Sequence, residues 1–411
     1  MTEAKKPLFN SYQIFMIAVL ATIQFTVILD FMVLSPLGAI LMPKLHISTS
    51  QFGFVVSAYA FSAGASGLLA AGFADKYDRK KFLLFFYLGF LIGTVLCAMA
   101  NTYEFLLAAR IITGIFGGVI GSVAYAIISD IFKVEVRGRV MGYTQMAFAA
   151  SQILGLPIGL LLANSFDWHA PFWMIAIFGF FLGVLILMKM NPVTEHLNHK
   201  SGNNALQHLI ATLSKPLYLR AFLGTVFMAT SGFMLMPFGS AFSTNNLGVT
   251  LAQLPVIYLI TGAFSIATGP LFGKLTDKIG PFNLFFAGTV ITMLVVGLYT
   301  NLGITPLWLI ILINVVLFTG ISARMISSSA LISTIPSSVD RGAFMSINSS
   351  IQQISGGVAS FVAGLIVLQL PSGKIEHYPA LGLVVIGTML LTVGLIYWLW
   401  QHMKLRNNTN L

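Results

Sequence analysis

Twelve apolar runs follow one another along this chain, and each is close to or above the roughly 20 residues that a helix needs to cross a bilayer. Charged residues make up only 8% of the 411 residues, and the mean hydropathy is +0.89. A soluble domain has about 25% charged residues, so this chain lacks the polar surface that water requires. The sequence therefore predicts an all-α integral membrane protein with twelve transmembrane helices, here called segments 1–12. Their approximate limits are 12–42, 51–74, 81–100, 104–129, 140–163, 170–189, 218–243, 251–273, 282–302, 306–334, 342–370 and 379–402.

The basic residues predict the orientation of these helices. Of 22 Lys and Arg, eighteen lie at the termini or in the loops that follow even-numbered segments, whereas only Lys44 and Lys374 lie in the opposite loops. Because basic residues concentrate on the cytoplasmic side of membrane proteins, we expect both termini and the polar linker 191–217 to be cytoplasmic. The net charge of +10 is then a topology signal, and it does not indicate a nucleic-acid surface.

Several kinds of chemistry find no support in the sequence. The seven His show no metal-ligand spacing, and the single Cys97 cannot form a disulfide within the chain. No phosphate-binding glycine loop is present, so ATP is not expected to drive this protein. We therefore predict neither a metal, nor a cofactor, nor an enzymatic activity.

Two loops occur twice, at nearly the same distance along the chain. Asp75 follows segment 2 and Asp277 follows segment 8, which places them 202 residues apart, while Arg137 and Arg341 are 204 residues apart. Such internal repeats are typical of transporters built from duplicated halves. We predict six-helix bundles at 1–190 and 218–411, joined by a cytoplasmic linker at 191–217 that contains a short amphipathic helix.

Asp30 is the only acidic residue near the middle of an apolar segment. A carboxylate at that depth costs roughly 2.5–3.5 kcal/mol on insertion scales, so it needs a cation, a proton or a water-filled cavity. Arg110 lies six residues into segment 4, about 9 Å deep at 1.5 Å per residue, and is the nearest candidate partner. The pair has two interpretations, a static structural anchor or a group that exchanges protons during transport.

The repeated loops and several further motifs resemble the major facilitator superfamily over nearly the whole chain. Ala71–Lys81 resembles the family loop between helices 2 and 3, and Leu106–Gly118, with Arg110 and Gly114, resembles its helix-4 motif. Ser151–Gly159 resembles the helix-5 motif of antiporters, and Asp30 with Pro36 resembles the helix-1 motif of drug:proton antiporters. The subgroup that the chain resembles is the twelve-span bacterial efflux family.

This resemblance implies alternating access, with Asp30 and Arg110 coupling transport to protons. It also implies a set of residues that gate the cytoplasmic side or bend the helices. That set is Asp75, Arg79, Lys80, Asp277, Lys278, Arg137, Arg341, Gly155, Pro157 and Gly159.

Arg324 is a second arginine inside a segment, and no acid lies at its depth. An unpaired cation in a membrane must face a cavity, bind carbonyl groups or bind substrate. Asn348 and Gln352 share one face of segment 11, where polar side chains either hold helices together or line a pathway. The candidate substrate-binding set is Arg324, Asn348, Gln352, Phe25, Tyr59, Tyr125, Phe233, Met236 and Tyr258, although ordinary packing also explains the aromatic and Met members.

Taken together, these features predict a monomeric secondary transporter of the bacterial inner membrane. Its partners would be a small molecule, protons and the lipid bilayer. We expect proton-coupled efflux of a small organic molecule or drug. The alternatives are proton-coupled import of an organic anion or nutrient and, in another class, a membrane receptor or lipid-handling protein that transports nothing.

Overall fold

A computed structural model of the chain describes residues 8–70, 76–198, 210–337 and 340–409. Within these ranges the apolar segments form long helices, and eleven helices are long and apolar enough to span a membrane. The predicted all-α membrane fold is confirmed. The helices are Ser11–Leu45, Thr49–Ala70, Arg79–Ala98, Tyr103–Ile131, Val134–Ala150 with Leu156–Ser165, Ala170–Lys189, Pro216–Phe233 with Gly239–Asn245, Leu254–Ile279, Pro281–Tyr299, Leu307–Ser333, Arg341–Ile366 and Tyr378–Thr409.

The helix of segment 11, Arg341–Ile366, is not among these eleven, because it is too polar to meet that criterion. Its small residues pack it against segment 2, where a Cβ added at Gly53 would lie 2.8 Å from the Ser360 carbonyl oxygen. Small residues allow this close approach between helices. The small and polar residues that lower the hydropathy of segment 11 are therefore the ones that allow its contact with the other half of the chain.

Local sequence explains where several helices begin. Segment 1 starts after Asn10, which accepts a hydrogen bond from the Gln13 backbone while the Gln13 side chain accepts one from the Asn10 backbone. This reciprocal capping satisfies two backbone donors that a helix start leaves free. Thr102 caps segment 4 in a similar way, by accepting from the backbone N–H of Phe105.

Two segments are interrupted rather than continuous. Segment 5 contains one π-helical turn, Ser151–Gly155, directly before Pro157. Segment 7 breaks after Phe233, where the short 3₁₀ turn Met236–Phe238 includes Pro237. Proline removes a backbone donor and disturbs the preceding helical turn, which accounts for both positions.

The chain after segment 11 is extended, and not helical as the predicted limit of residue 370 implies. Strand β1, Leu368–Gln369, pairs antiparallel with strand β2, Ile375–Glu376. Asn246 at the end of segment 7 exchanges two hydrogen bonds with the Ile375 backbone, at 2.8 and 2.9 Å. We call the side of the protein that carries this hairpin the hairpin face, and the opposite side, where segment 1 starts and segment 12 ends, the terminus face.

Side-chain hydrogen bonds join the two halves towards the hairpin face. Thr49 donates to the Val367 carbonyl at 2.6 Å, and Ser57 donates to the Gly357 carbonyl at 2.8 Å. Asn164 donates to the Leu251 carbonyl at 2.9 Å. A cavity of about 390 Å³ lies between Thr49 and the hairpin. The halves are therefore held together at this face.

The linker is described in part. Glu195–Asn198 forms a 3₁₀ turn. The predicted amphipathic helix begins on residues up to 209 that lie outside the described residues, and the described residues 210–213 are helical.

Candidate functional site

Asp30 and Arg110 form an ion pair in the interior of the first half. Arg110 Nη1 donates to Asp30 Oδ1 at 2.7 Å and to the Asp30 carbonyl oxygen at 3.3 Å. Both side chains have no exposed area. Thr94 of segment 3 donates to the other carboxylate oxygen at 3.1 Å. The carboxylate is thus held by segments 3 and 4.

The guanidinium of Arg110 lies on the face of Tyr59. The Arg110 Cζ is 4.5 Å from the centre of the Tyr59 ring. Segments 2 and 4 approach this closely because Gly114 and Gly117 lack side chains; a Cβ at Gly117 would lie 2.6 Å from the Tyr59 hydroxyl oxygen. Arg110 Nε and Nη2 are buried and have no hydrogen-bond partner within the described residues. The cation therefore depends on Asp30 and on the aromatic face.

Arg324 occupies the interior of the second half without an acidic partner among the described residues. Its Nη2 donates to the Ser231 hydroxyl at 3.0 Å and lies 3.6 Å from the Met228 sulfur. The ring of Phe285 is 5.9 Å from Cζ, and Nε is buried without a hydrogen bond to any described residue. The side chain is 2% exposed. Arg324 is thus a buried cation whose charge nothing on the described chain balances.

The other predicted substrate-binding residues are spread over both halves. Asn348 is half-buried and accepts a hydrogen bond from Thr225 at 2.6 Å, which ties segment 11 to segment 7. Tyr59 is buried beneath Arg110, so the structure assigns it to the ion pair rather than to an accessible wall. The remaining members are half-buried: Gln352, Phe25, Tyr125, Phe233, Met236 and Tyr258.

The predicted gating residues of the first half have specific partners at the terminus face. Arg79 Nε lies 3.0 Å from Asp130 Oδ2, and Lys80 Nζ donates to the Leu187 carbonyl at 2.9 Å. Arg137 donates to the Phe132 carbonyl at 2.8 Å. Asp75 lies outside the described residues.

Their counterparts in the second half differ. The side chains of Asp277, Lys278 and Arg341 are exposed and form no hydrogen bond or ion pair with any described residue. Among the described residues, the basic side chains of the repeated loops therefore differ in their contacts in this conformation.

The glycines of the segment-5 motif bring that segment against segment 1. A Cβ at Gly155 would lie 2.5 Å from a methyl carbon of Leu29, and one at Gly159 would lie 3.0 Å from Val33. Pro157 follows the π-helical turn and is buried. The π-helical turn therefore lies against segment 1 at Leu29, the residue before Asp30 in the chain.

Sequence reasoning missed three contributors to these contacts. Thr94 was not distinguished because serine and threonine are common in transmembrane helices and usually bond to their own backbone. Asp130 and Asp340 were assigned only to segment ends, yet Asp130 pairs with Arg79 and Asp340 accepts from the Tyr218 hydroxyl at 2.8 Å. An acid precedes the Arg-Gly pair of each repeated loop, Asp130 before Arg137 and Asp340 before Arg341. This recurrence could have indicated that the two acids take part in contacts.

Comparison with known proteins identifies the family. The model of the Major Facilitator Superfamily matches residues 20–360 and 221–409. The uncharacterized MFS-type transporter YceJ of Bacillus subtilis is 28% identical over 69% of this chain and 72% of its own length. Multidrug resistance protein 1 of the same organism is 24% identical over 85% of this chain and 89% of its own.

Solved structures of low sequence identity share the fold. A bacterial homolog of the human lysosomal transporter Spinster, in an inward-facing and occupied conformation, aligns with a TM-score of 0.71 at 16% identity, over 98% of both chains. The nucleoside transporter NupG aligns with a TM-score of 0.71 at 14% identity, over 94% of this chain and 99% of its own. These similarities support a twelve-helix transporter fold and say nothing of substrate.

Proposed function

Because the chain belongs to the major facilitator superfamily, we propose that it is a proton-coupled antiporter that exports a small organic molecule from the bacterial cytoplasm. The two halves rock about a central site and open it to each side in turn. The terminus face is cytoplasmic in this proposal, since eighteen of the 22 basic residues lie at the termini or in loops on that side. Efflux is supported by relatives named as multidrug resistance proteins.

The Asp30–Arg110 pair is the observation that carries the proposal. A buried ion pair is strongly destabilised when one partner loses its charge, so protonation of Asp30 changes the local energy more than a surface proton does. Asp30 also accepts a hydrogen bond from Thr94 of segment 3, at 3.1 Å. A proton taken up by Asp30 therefore frees Arg110 and disturbs the contacts that join segments 1, 3 and 4. Release of that proton on the other side restores the pair.

Arg324 favours a second candidate, proton-coupled import of an organic anion. Its guanidinium is buried without an acidic partner among the described residues. A carboxylate or phosphate on the substrate would balance this charge and use donors that are free in the protein. A receptor or lipid-handling role has no comparable observation in its favour.

The test is transport by purified protein in vesicles with an imposed pH gradient. A panel of labelled lipophilic cations, sugars and organic anions is offered to wild type and to Asp30→Asn, a variant that keeps the shape of the protonated side chain. We expect proton-driven export by the wild type, and in Asp30→Asn no response to the gradient but continued exchange of substrate.

Two other outcomes have defined meanings. Accumulation of organic anions alongside protons would replace export with import. Gradient-driven transport by Asp30→Asn at the wild-type rate would remove Asp30 as the proton carrier.

A further inference from the structure

Arg110 contacts two groups that present negative charge to it, the carboxylate of Asp30 and the ring face of Tyr59. Asp30 supplies a full negative charge at 2.7 Å. Tyr59 supplies the negative face of its ring, with the ring centre 4.5 Å from Cζ. The Tyr59 hydroxyl forms no hydrogen bond with any described residue, although the side chain is 1% exposed. The ring itself, and not the hydroxyl, is therefore the part of Tyr59 that the site uses.

The ring does not act equally on the two protonation states of Asp30. While Asp30 is charged, the ring face shares Arg110 with a full negative charge 2.7 Å from the guanidinium. Protonation of Asp30 leaves a desolvated cation with the aromatic face as its remaining negative contact, which is the arrangement in which cation–π attraction is strongest. An interaction shifts an equilibrium only by the difference between its energies in the two states. The contact between Tyr59 and Arg110 has such a difference between the charged and the protonated form of Asp30.

Other groups around Asp30 do not take this role. Arg110 approaches it from segment 4, Thr94 and Cys97 from segment 3, and Tyr59 from segment 2. Among the described residues of this cluster, Arg110 is the only cation. Cys97 lies 3.7 Å from the Thr113 hydroxyl and is buried. Tyr59 is therefore the aromatic group that receives the guanidinium once the carboxylate is neutral.

A chain of rings continues from Tyr59 into the other half of the protein. The Tyr59 and Phe31 rings are 5.3 Å apart, and Phe31 and Phe233 are 5.9 Å apart. Phe31 follows Asp30 on segment 1, whereas Phe233 is the last residue before the break in segment 7. Phe233 in turn packs on Gly356 of segment 11, where an added Cβ would lie 2.9 Å from the ring. The contact between Phe31 and Phe233 crosses between the halves.

We propose that Tyr59 is a positioning residue for proton coupling: its ring holds Arg110 when Asp30 is protonated, and through Phe31 and Phe233 it links that state to the contact between the halves. This inference rests on the proposed role of Asp30. It predicts that removal of the aromatic face makes protonation of Asp30 harder and therefore moves the pH response of the protein downward.

The experiment measures opening of the hairpin face without any substrate. Spin labels are attached to Asn101→Cys and Ser372→Cys, two exposed positions on opposite halves. The native Cys97 is buried, so it does not compete for label. The distance between the labels is recorded against pH in the wild type, Tyr59→Phe, Tyr59→Leu and Asp30→Asn. Phe52→Leu is the matched control, since Phe52 is a buried ring on the same helix and also contacts the other half, through Phe238. No cation of the described chain lies on the face of Phe52.

We expect Tyr59→Phe to keep the wild-type midpoint. Tyr59→Leu should lower it by about one pH unit, the size of effect that a desolvated cation–π contact can produce. Phe52→Leu should leave the midpoint in place. If Tyr59→Leu does not fold, fluorinated phenylalanines at position 59 replace it, because fluorine weakens the ring face while the shape is nearly kept. The midpoint should then fall in steps with each added fluorine.

The two proposals fail in different ways. A flat pH response in Asp30→Asn together with an unmoved midpoint in Tyr59→Leu, or across the fluorinated series, overturns the role of Tyr59 alone. A wild-type midpoint in Asp30→Asn overturns proton coupling through Asp30, whatever the Tyr59 variants show.

Discussion

Each half of the molecule buries one arginine in its interior, and the two are treated differently. Arg110 in segment 4 is paired with Asp30 at 2.7 Å, while Arg324 in segment 10 has the Ser231 hydroxyl at 3.0 Å, the Met228 sulfur and an aromatic face. Arg110 contacts segments 1 and 2 of its half, through Asp30 and Tyr59, whereas Arg324 contacts segments 7 and 9, through Ser231 and Phe285. The comparison shows that each half of the fold places an arginine in its interior, and that the neighbouring side chains decide whether the charge of that arginine is balanced. The first half balances its cation with an acid of its own, whereas no acidic residue of the described chain balances the cation of the second half.

The largest expected effect comes from opposite changes in stability when the two arginines are removed. Arg110→Leu leaves the Asp30 carboxylate buried and alone, which should cost about 3–5 kcal/mol. Arg324→Met removes a buried charge that has no acidic partner on the described chain, so stability should stay the same or rise. Thermal unfolding in detergent measures both. The double variant Asp30→Leu with Arg110→Leu should recover most of the loss, and equal destabilisation by the two single changes would contradict the comparison.

Much of the fold could be predicted from the sequence because bilayer thickness imposes a length on every apolar run. Segment 6, predicted at 170–189, is the helix Ala170–Lys189. The break in segment 7 could not be predicted, since a proline such as Pro237 marks where a helix can bend but not whether its neighbours compensate. For the candidate site, Asp30 and Arg110 stood out by charge alone. Thr94 and Phe31 did not, because their roles depend on which helix faces they meet.

A smaller effect distinguishes the hairpin face from the rest of the protein. Ser57 bonds across the halves to the Gly357 carbonyl and also to the Gly53 carbonyl of its own helix. Ser57→Ala should weaken closure of the halves by about 1 kcal/mol, a roughly five-fold change in the ratio of closed to open molecules. Ser66→Ala is the control, because the one hydrogen bond of Ser66 with a described residue stays within its own helix, to the Ala63 carbonyl. Distances between labels at the hairpin face report both, and equal shifts would rule out a specific role for Ser57.

The smallest effect concerns a surface pair in the first half. Partial burial favours a higher pKa for Asp167, but hydrogen bonds from Lys44, at 2.8 Å, and from the Trp168 backbone outweigh it and hold the pKa below the ordinary 3.8. A lowered pKa in the folded state stabilises the protein above the unfolded value and loses this contribution as pH falls through the folded value. Since both side chains are largely exposed, Asp167→Asn should cost at most about 1 kcal/mol. The difference from wild type should shrink as the pH falls below the ordinary pKa of 3.8 and disappear below the folded-state pKa, and a difference that persists at still lower pH would point to packing instead.

The unbalanced Arg324 also has an electrical consequence. While Asp30 is deprotonated, the Asp30–Arg110 pair is neutral as a unit, so its displacement during rocking moves no net charge across the membrane field. Arg324 carries a full charge, and moving one charge through the whole field changes the energy by about 2.3 kcal/mol per 100 mV. With Asp30 deprotonated, an empty carrier whose second half shifts this guanidinium in depth must therefore return at a voltage-dependent rate, whereas a carrier loaded with a monovalent anion at Arg324 returns independently of voltage.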